Sequence, residues 1–142
     1  MIPEINYWAV LLATASSMLV GSIWYMPKVF GNRWARLANV DISGSSKGVM
    51  WPILTTVIVS FVTAWVLAGA SAIAWHFYEG SFFIAAVVTS ILLWAGFTAA
   101  RFITHDAFEG RPTQLTTMNI GHELVTLVIM AVLIGVWPPA LG

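Results

Sequence analysis

The residues best equipped for chemistry lie between Trp94 and Met130, where Arg101 and Glu123 interrupt runs of apolar sequence. A charge in hydrocarbon must be paired, neutralised or wetted, so the way these two are satisfied bounds what the chain can do. Asn119, His122, Glu123 and Thr126 fall at i, i+3, i+4 and i+7, the spacing of one helical face. Trp94, Thr98, Arg101 and His105 follow the same rule in the preceding segment. Arg101 is expected one turn, ~5 Å, from the end of its helix, and Glu123 two turns, ~12 Å, into the next. Side chains lean toward the amino terminus of their helix, so the two reach toward each other. The expectation is an Arg101–Glu123 ion pair, direct or bridged by water.

Three chemistries suit such a site. One is a structural pair that fixes two helices. Another is proton exchange coupled to transport, for which the adjacent imidazole and carboxylate of His122 and Glu123 are the apt groups. The last is a metal or catalytic site, for which His105, Asp106 and Glu109 offer a weak ligand set at i, i+1 and i+4. A solvated helix end closed by Gly110 explains that spacing equally well. No nucleophile–base pair, phosphate loop or paired acid–base carboxylates can be read, so no catalytic residue and no cofactor are expected. Bis-histidine haem fits poorly, because His76 falls on the opposite side and His105 and His122 differ in depth.

The elements that position these residues are set by composition. The chain is 59% hydrophobic and 8% charged, with a mean hydropathy of +0.86. Soluble domains carry roughly a quarter charged residues, so a water-facing surface cannot be built from this inventory. A net charge of zero argues against nucleic acid as a partner. Cysteine is absent, which removes disulfides and thiolate sites. The opening MIPEINYW lacks the basic stretch of a cleavable signal and leads into a first span.

About 20 apolar residues cross ~30 Å of hydrocarbon, and four runs qualify: 5–26, 49–75, 81–104 and 115–137. The fold expected over residues 1–142 is all-α, a single transmembrane four-helix bundle. All six basic residues (Lys28, Arg33, Arg36, Lys47, Arg101, Arg111) fall on one side. The positive-inside rule makes that side cytoplasmic and both termini extracytoplasmic, as for a multi-pass protein of a bacterial inner membrane. Phe30, Trp34 and Leu37 at i, i+4 and i+7 predict a short amphipathic helix in the first loop, lying in the interface and drawn to anionic lipid. Ser45 or Ser46 could cap the second span. Trp65 and Trp94, deep in their spans, are expected to fill the bundle with each indole N–H on a carbonyl or hydroxyl. Small residues recur every fourth position at Ala9, Ala13, Ser17 and Gly21, and at Ser60, Ala64, Ala68 and Ala72. Such stripes suit a tight hairpin of spans one and two, or self-association.

Two passages carry a family pattern. GSIWYMPKVFGNRW (Gly21–Trp34) resembles a Gly-x-x-Trp-Tyr-x-Pro-x-x-Phe-Gly-x-x-Trp motif, and the passage from Phe108 to Trp137 resembles a Glu-Gly-Arg-Pro turn followed by an Asn-x-Gly helix. Both resemble an uncharacterised domain-of-unknown-function family of small four-span membrane proteins, mostly bacterial. The resemblance implies a four-helix membrane fold and no assigned reaction. It marks Trp24, Tyr25, Pro27, Phe30, Gly31, Trp34, Glu109, Gly110, Arg111, Pro112, Asn119 and Gly121. A contact of Glu109 with Arg33 or Arg36 would join the two motifs at the cytoplasmic face.

The first functional reading is a non-enzymatic scaffold, associating with itself or another membrane protein in the bilayer. The alternative is a proton-linked channel or transporter for a small solute, using Arg101, His122 and Glu123. A scaffold predicts a dry interior, whereas a transporter predicts an opening that reaches Glu123.

Overall fold

The computed structural model describes residues 3–41 and 50–140. Four helical segments among them are long and apolar enough to cross a membrane, making this a multi-pass membrane protein: Tyr7–Trp24, Met50–Tyr78, Phe82–Phe108 and Thr113–Val136. The first is α1 (Tyr7–Trp24), followed by a π-helical turn (Pro27–Gly31) and the short α2 (Asn32–Ala38). Then come α3 (Met50–Tyr78), α4 (Phe82–Leu93), a second π-helical turn (Trp94–Ala99), α5 (Ala100–Phe108) and α6 (Thr113–Val136). The third span is thus one helix with a π turn in its middle. The four spans form a square in which α1 and α4 each pack on both α3 and α6.

Local chemistry sets the ends. Asn6 caps α1, its side-chain oxygen accepting from the backbone N–H groups of Trp8 and Ala9 at 3.1 and 3.3 Å. Its Nδ2 donates to the Trp137 carbonyl at 3.2 Å, joining the start of α1 to the end of α6. Pro52 lies in the first turn of α3, where its missing N–H costs little. α5 stops at Gly110, which takes φ +66 while the Arg111 N–H bonds the Asp106 carbonyl at 2.9 Å. A residue without a Cβ enters this left-handed C-cap without strain.

The small-residue stripes are buried, but not as a private seam between two helices. Ala9, Ala13, Ala64, Ala68, Ala86 and Ala131 share one core with Leu67, Leu127, Met130 and Ile134. The tightest crossing is of α4 with α6. A Cβ placed on Gly135 would stand 3.0 Å from the Phe83 Cα. Trp94 is half-buried and donates its indole N–H to the Ile120 carbonyl at 2.8 Å, as anticipated for a tryptophan inside a bundle. Trp65 departs from that expectation: it is exposed on the outside of α3, where lipid can cover it.

The main apolar cluster lies toward the end that holds Asn6 and Trp137. Along α3 the buried positions are Ala64, Leu67, Ala68 and Ser71, and every residue from Met50 to Val59 is exposed. The half of α3 nearer the basic residues therefore stands away from the bundle. On the same half, α2 turns Ala35 inward and leaves Trp34 and Leu37 half-buried, as is Phe30 in the π turn before it, with Arg33 and Arg36 exposed. That is the amphipathic pattern expected of the first loop. The serines considered as caps for α3 lie outside the described residues.

Candidate functional site

A π turn inserts one residue into the helical count and swings everything after it by about 100°. In the third span the inward face runs Phe82, Ala86, Ser90 and Trp94, then steps by five to Ala99 and on to Asp106. The Ala100 N–H bonding to the Ala95 carbonyl marks the step. A continuous α-helix would have put Arg101 and His105 on that face; instead both are exposed and Asp106 is buried.

The expected Arg101–Glu123 pair is therefore corrected. Among the described residues the ion-pair contact of Glu123 is with its own neighbour, His122 Nδ1, 3.4 Å from Oε1. Thr98 and Asn119 are half-buried, and neither is seen bonding to Glu123. The weak metal set does not converge either, because successive residues on a helix diverge by about 100°. His105 and Glu109 face outward, and the Asp106 carboxylate accepts the Thr116 hydroxyl at 2.6 Å with Arg111 Nε at 3.8 Å. Among the described residues no group of three His, Cys, Asp or Glu could hold a metal. Glu109 pairs with Arg111 inside its own turn, not with Arg33 or Arg36. That pair is exposed and adds little stability.

The structure joins two sets of residues that spacing had left apart. His122 on α6 meets Trp24 and Tyr25 at the end of α1, with ring centroids 5.8 and 5.1 Å away. Trp24 meets Phe30 at a tilt of 40° with ring centroids 4.6 Å apart, and Tyr25 meets Trp34 edge-on at 5.4 Å. Glycines face these rings, each with room for a Cβ at ordinary contact distance. A Cβ on Gly21 would lie 3.7 Å from His122 Nε2, and one on Gly121 would lie 3.8 Å from the Trp24 ring. The first π turn holds the rings in place: the Gly31 N–H bonds the Met26 carbonyl at 2.9 Å. A Cβ at Gly31 would overlap the Tyr25 carbonyl oxygen, so no larger residue fits there. Pro27 opens this turn at its first position, where a missing N–H is harmless.

Among the described residues three buried polar atoms lack a hydrogen-bond partner: Trp24 Nε1, His122 Nε2 and Thr126 Oγ1. Native interiors leave few such groups, and those they leave gather where function or strain requires them. Glu123 shares a face with Thr116, Leu127, Met130 and Ile134, all buried, yet its side chain is 38% exposed against 14% for His122. The inward face of α6 is uncovered there because the nearby half of α3 has withdrawn. Tyr25, just past the end of α1, feels this carboxylate. Burial, and then the charge of Glu123, push its phenol up to about 12, so it stays a neutral donor at physiological pH.

Residues 8–135 match the model of the family described as "Protein of unknown function (DUF1761)", and the chain belongs to that family. No curated protein and no solved structure matches it.

Proposed function

Taking a four-span membrane protein of this family as the starting point, we propose that it binds and carries a small solute, with proton exchange at Glu123. One observation carries the reading: a carboxylate on the inward face of α6, about 15 Å from the start of that helix, stays open and is not claimed by any lysine or arginine among the described residues. A carboxylate on the inner side of a span is costly unless paired or wetted, and a purely structural role would pair it. His122 on α6 and Tyr25 beyond α1 are the titratable groups beside it, and Trp94 brings an uncharged indole from the third span. The basic residues set the orientation by the positive-inside rule: Lys28, Arg33, Arg36 and Arg111 face the cytoplasm of a bacterial inner membrane, and both termini face out. Glu123 is then reached from the cytoplasmic half. The test uses proteoliposomes loaded with a pH-sensitive dye and challenged with a panel of small solutes. A solute-evoked proton flux lost in Glu123→Gln supports the reading, and no flux from any member of the panel defeats it.

A second reading, a scaffold associating with itself or another membrane protein, draws on the exposed half of α3, with Trp51, Leu54 and Ile58 uncovered by their own chain. Native mass spectrometry from membranes tests it, since a monomer free of partner proteins would exclude it.

A further inference from the structure

We infer that Glu123, Tyr25 and Trp34 together receive an organic ammonium group. The inference rests on the solute-binding reading above and names the class of solute. An ammonium ion buried away from water needs a counter-charge and polarisable faces in place of its hydration. A carboxylate supplies the first and aromatic rings supply the second. Both are present here. The Glu123 carboxylate is open on one side and backed on the other by His122 Nδ1 at 3.4 Å. The Tyr25 ring lies 5.1 Å from the His122 ring, and the Trp34 ring lies 5.4 Å from Tyr25 at a steep angle, so the two rings make a corner instead of a stack. Tyr25 is partly exposed and Trp34 half-buried, so a ligand can reach the corner.

The competing ligand classes fit less well. An anion would meet an uncompensated carboxylate. A hard metal ion needs several oxygen ligands, and among the described residues no cluster of three ligating side chains exists. The cation that helical spacing offered, Arg101, is exposed and turned outward by the π turn of the third span. The ammonium could belong to a free amine or to a choline or ethanolamine lipid headgroup, since both present the same cation.

The experiment is calorimetric titration of tetramethylammonium into the full chain in nanodiscs, with empty nanodiscs as the blank. In discs of phosphatidylglycerol, which carries no ammonium, saturable binding is expected. Glu123→Gln should abolish it, Glu123→Asp should keep it, and Tyr25→Leu should weaken it about tenfold while Tyr25→Phe keeps the ring and most of the affinity. Repeating the titration in phosphatidylcholine separates the sources: undiminished affinity identifies a free amine as the ligand, and competition identifies the headgroup. The inference is overturned if tetramethylammonium gives no saturable heat, or if Glu123→Gln and Tyr25→Leu bind it unchanged. A neutral or anionic solute whose binding needs Glu123 would overturn the ammonium assignment alone and leave the solute reading standing. Proton flux and solute binding both indifferent to Glu123 would overturn the two together.

Discussion

The Thr116 hydroxyl donates to the buried Asp106 carboxylate at 2.6 Å, fastening α5 to α6 across the turn that carries Gly110 and Arg111. A hydrogen bond to a charged group contributes about 1.5–3 kcal/mol. Thr116→Val should lower stability by that amount and Thr116→Ser by much less. Thermal unfolding in detergent, followed by size-exclusion fluorescence, measures both.

Gly135 should refuse any side chain. Its notional Cβ stands 3.0 Å from the backbone of Phe83, which cannot yield as a flexible side chain can. Overpacking of this kind costs about 1–3 kcal/mol, so Gly135→Ala should destabilise the α4–α6 crossing. Gly96→Ala, facing open space, is the matched control and should be near neutral. The same thermal assay reads the difference.

Deleting Gly96 should convert the π turn of the third span into plain α-helix by removing the inserted residue. From Trp94 the steps to Ala99 and Asp106 then shorten to four and eleven, so both keep the inward face. Cysteines placed at 106 and 116 should crosslink as readily in the deletion as in the parent sequence. Loss of the crosslink in the deletion would show that the turn does not carry an extra residue.

The Tyr25 phenol should ionise late. Its value is raised, so the folded state holds the proton more tightly. The associated stability is complete below pH 10, the ordinary tyrosine value, and is lost as pH climbs through about 12. Phenolate absorbance in detergent should show a late phase that vanishes in Tyr25→Phe. In Glu123→Gln the phase should move only part of the way back, because burial is the larger cause and the carboxylate the smaller.

Much of this architecture is legible in the amino-acid sequence, because four apolar runs in a chain with so few charges have no other stable arrangement. The inner placement of Trp94 and the amphipathic α2 follow from spacing alone. The Arg101–Glu123 pair does not, and the reason is physical. Its derivation assumes 3.6 residues per turn throughout, and between Trp94 and Ala99 the helix runs wider. One added residue exchanges His105 for Asp106 on the inner face. WAGFTA carries no proline and a single glycine, so little in it announces a π turn. The meeting of His122 with Trp24 and Tyr25 depends on two helices about a hundred residues apart in sequence. The glycines at 21 and 121, each opposite a large ring, are the trace of it that composition keeps.

The bond from Asn6 to Trp137 has a consequence for biosynthesis. The residue that caps α1 also bonds a carbonyl just past α6, and α1 takes α6 as one of its two neighbours. Because α6 follows α1 in the chain, α1 must wait in the bilayer with part of its interface covered only by lipid until α6 is made. A chain stalled before α6 emerges would leave α1 with α3 alone for a partner and the Asn6 amide without the Trp137 carbonyl.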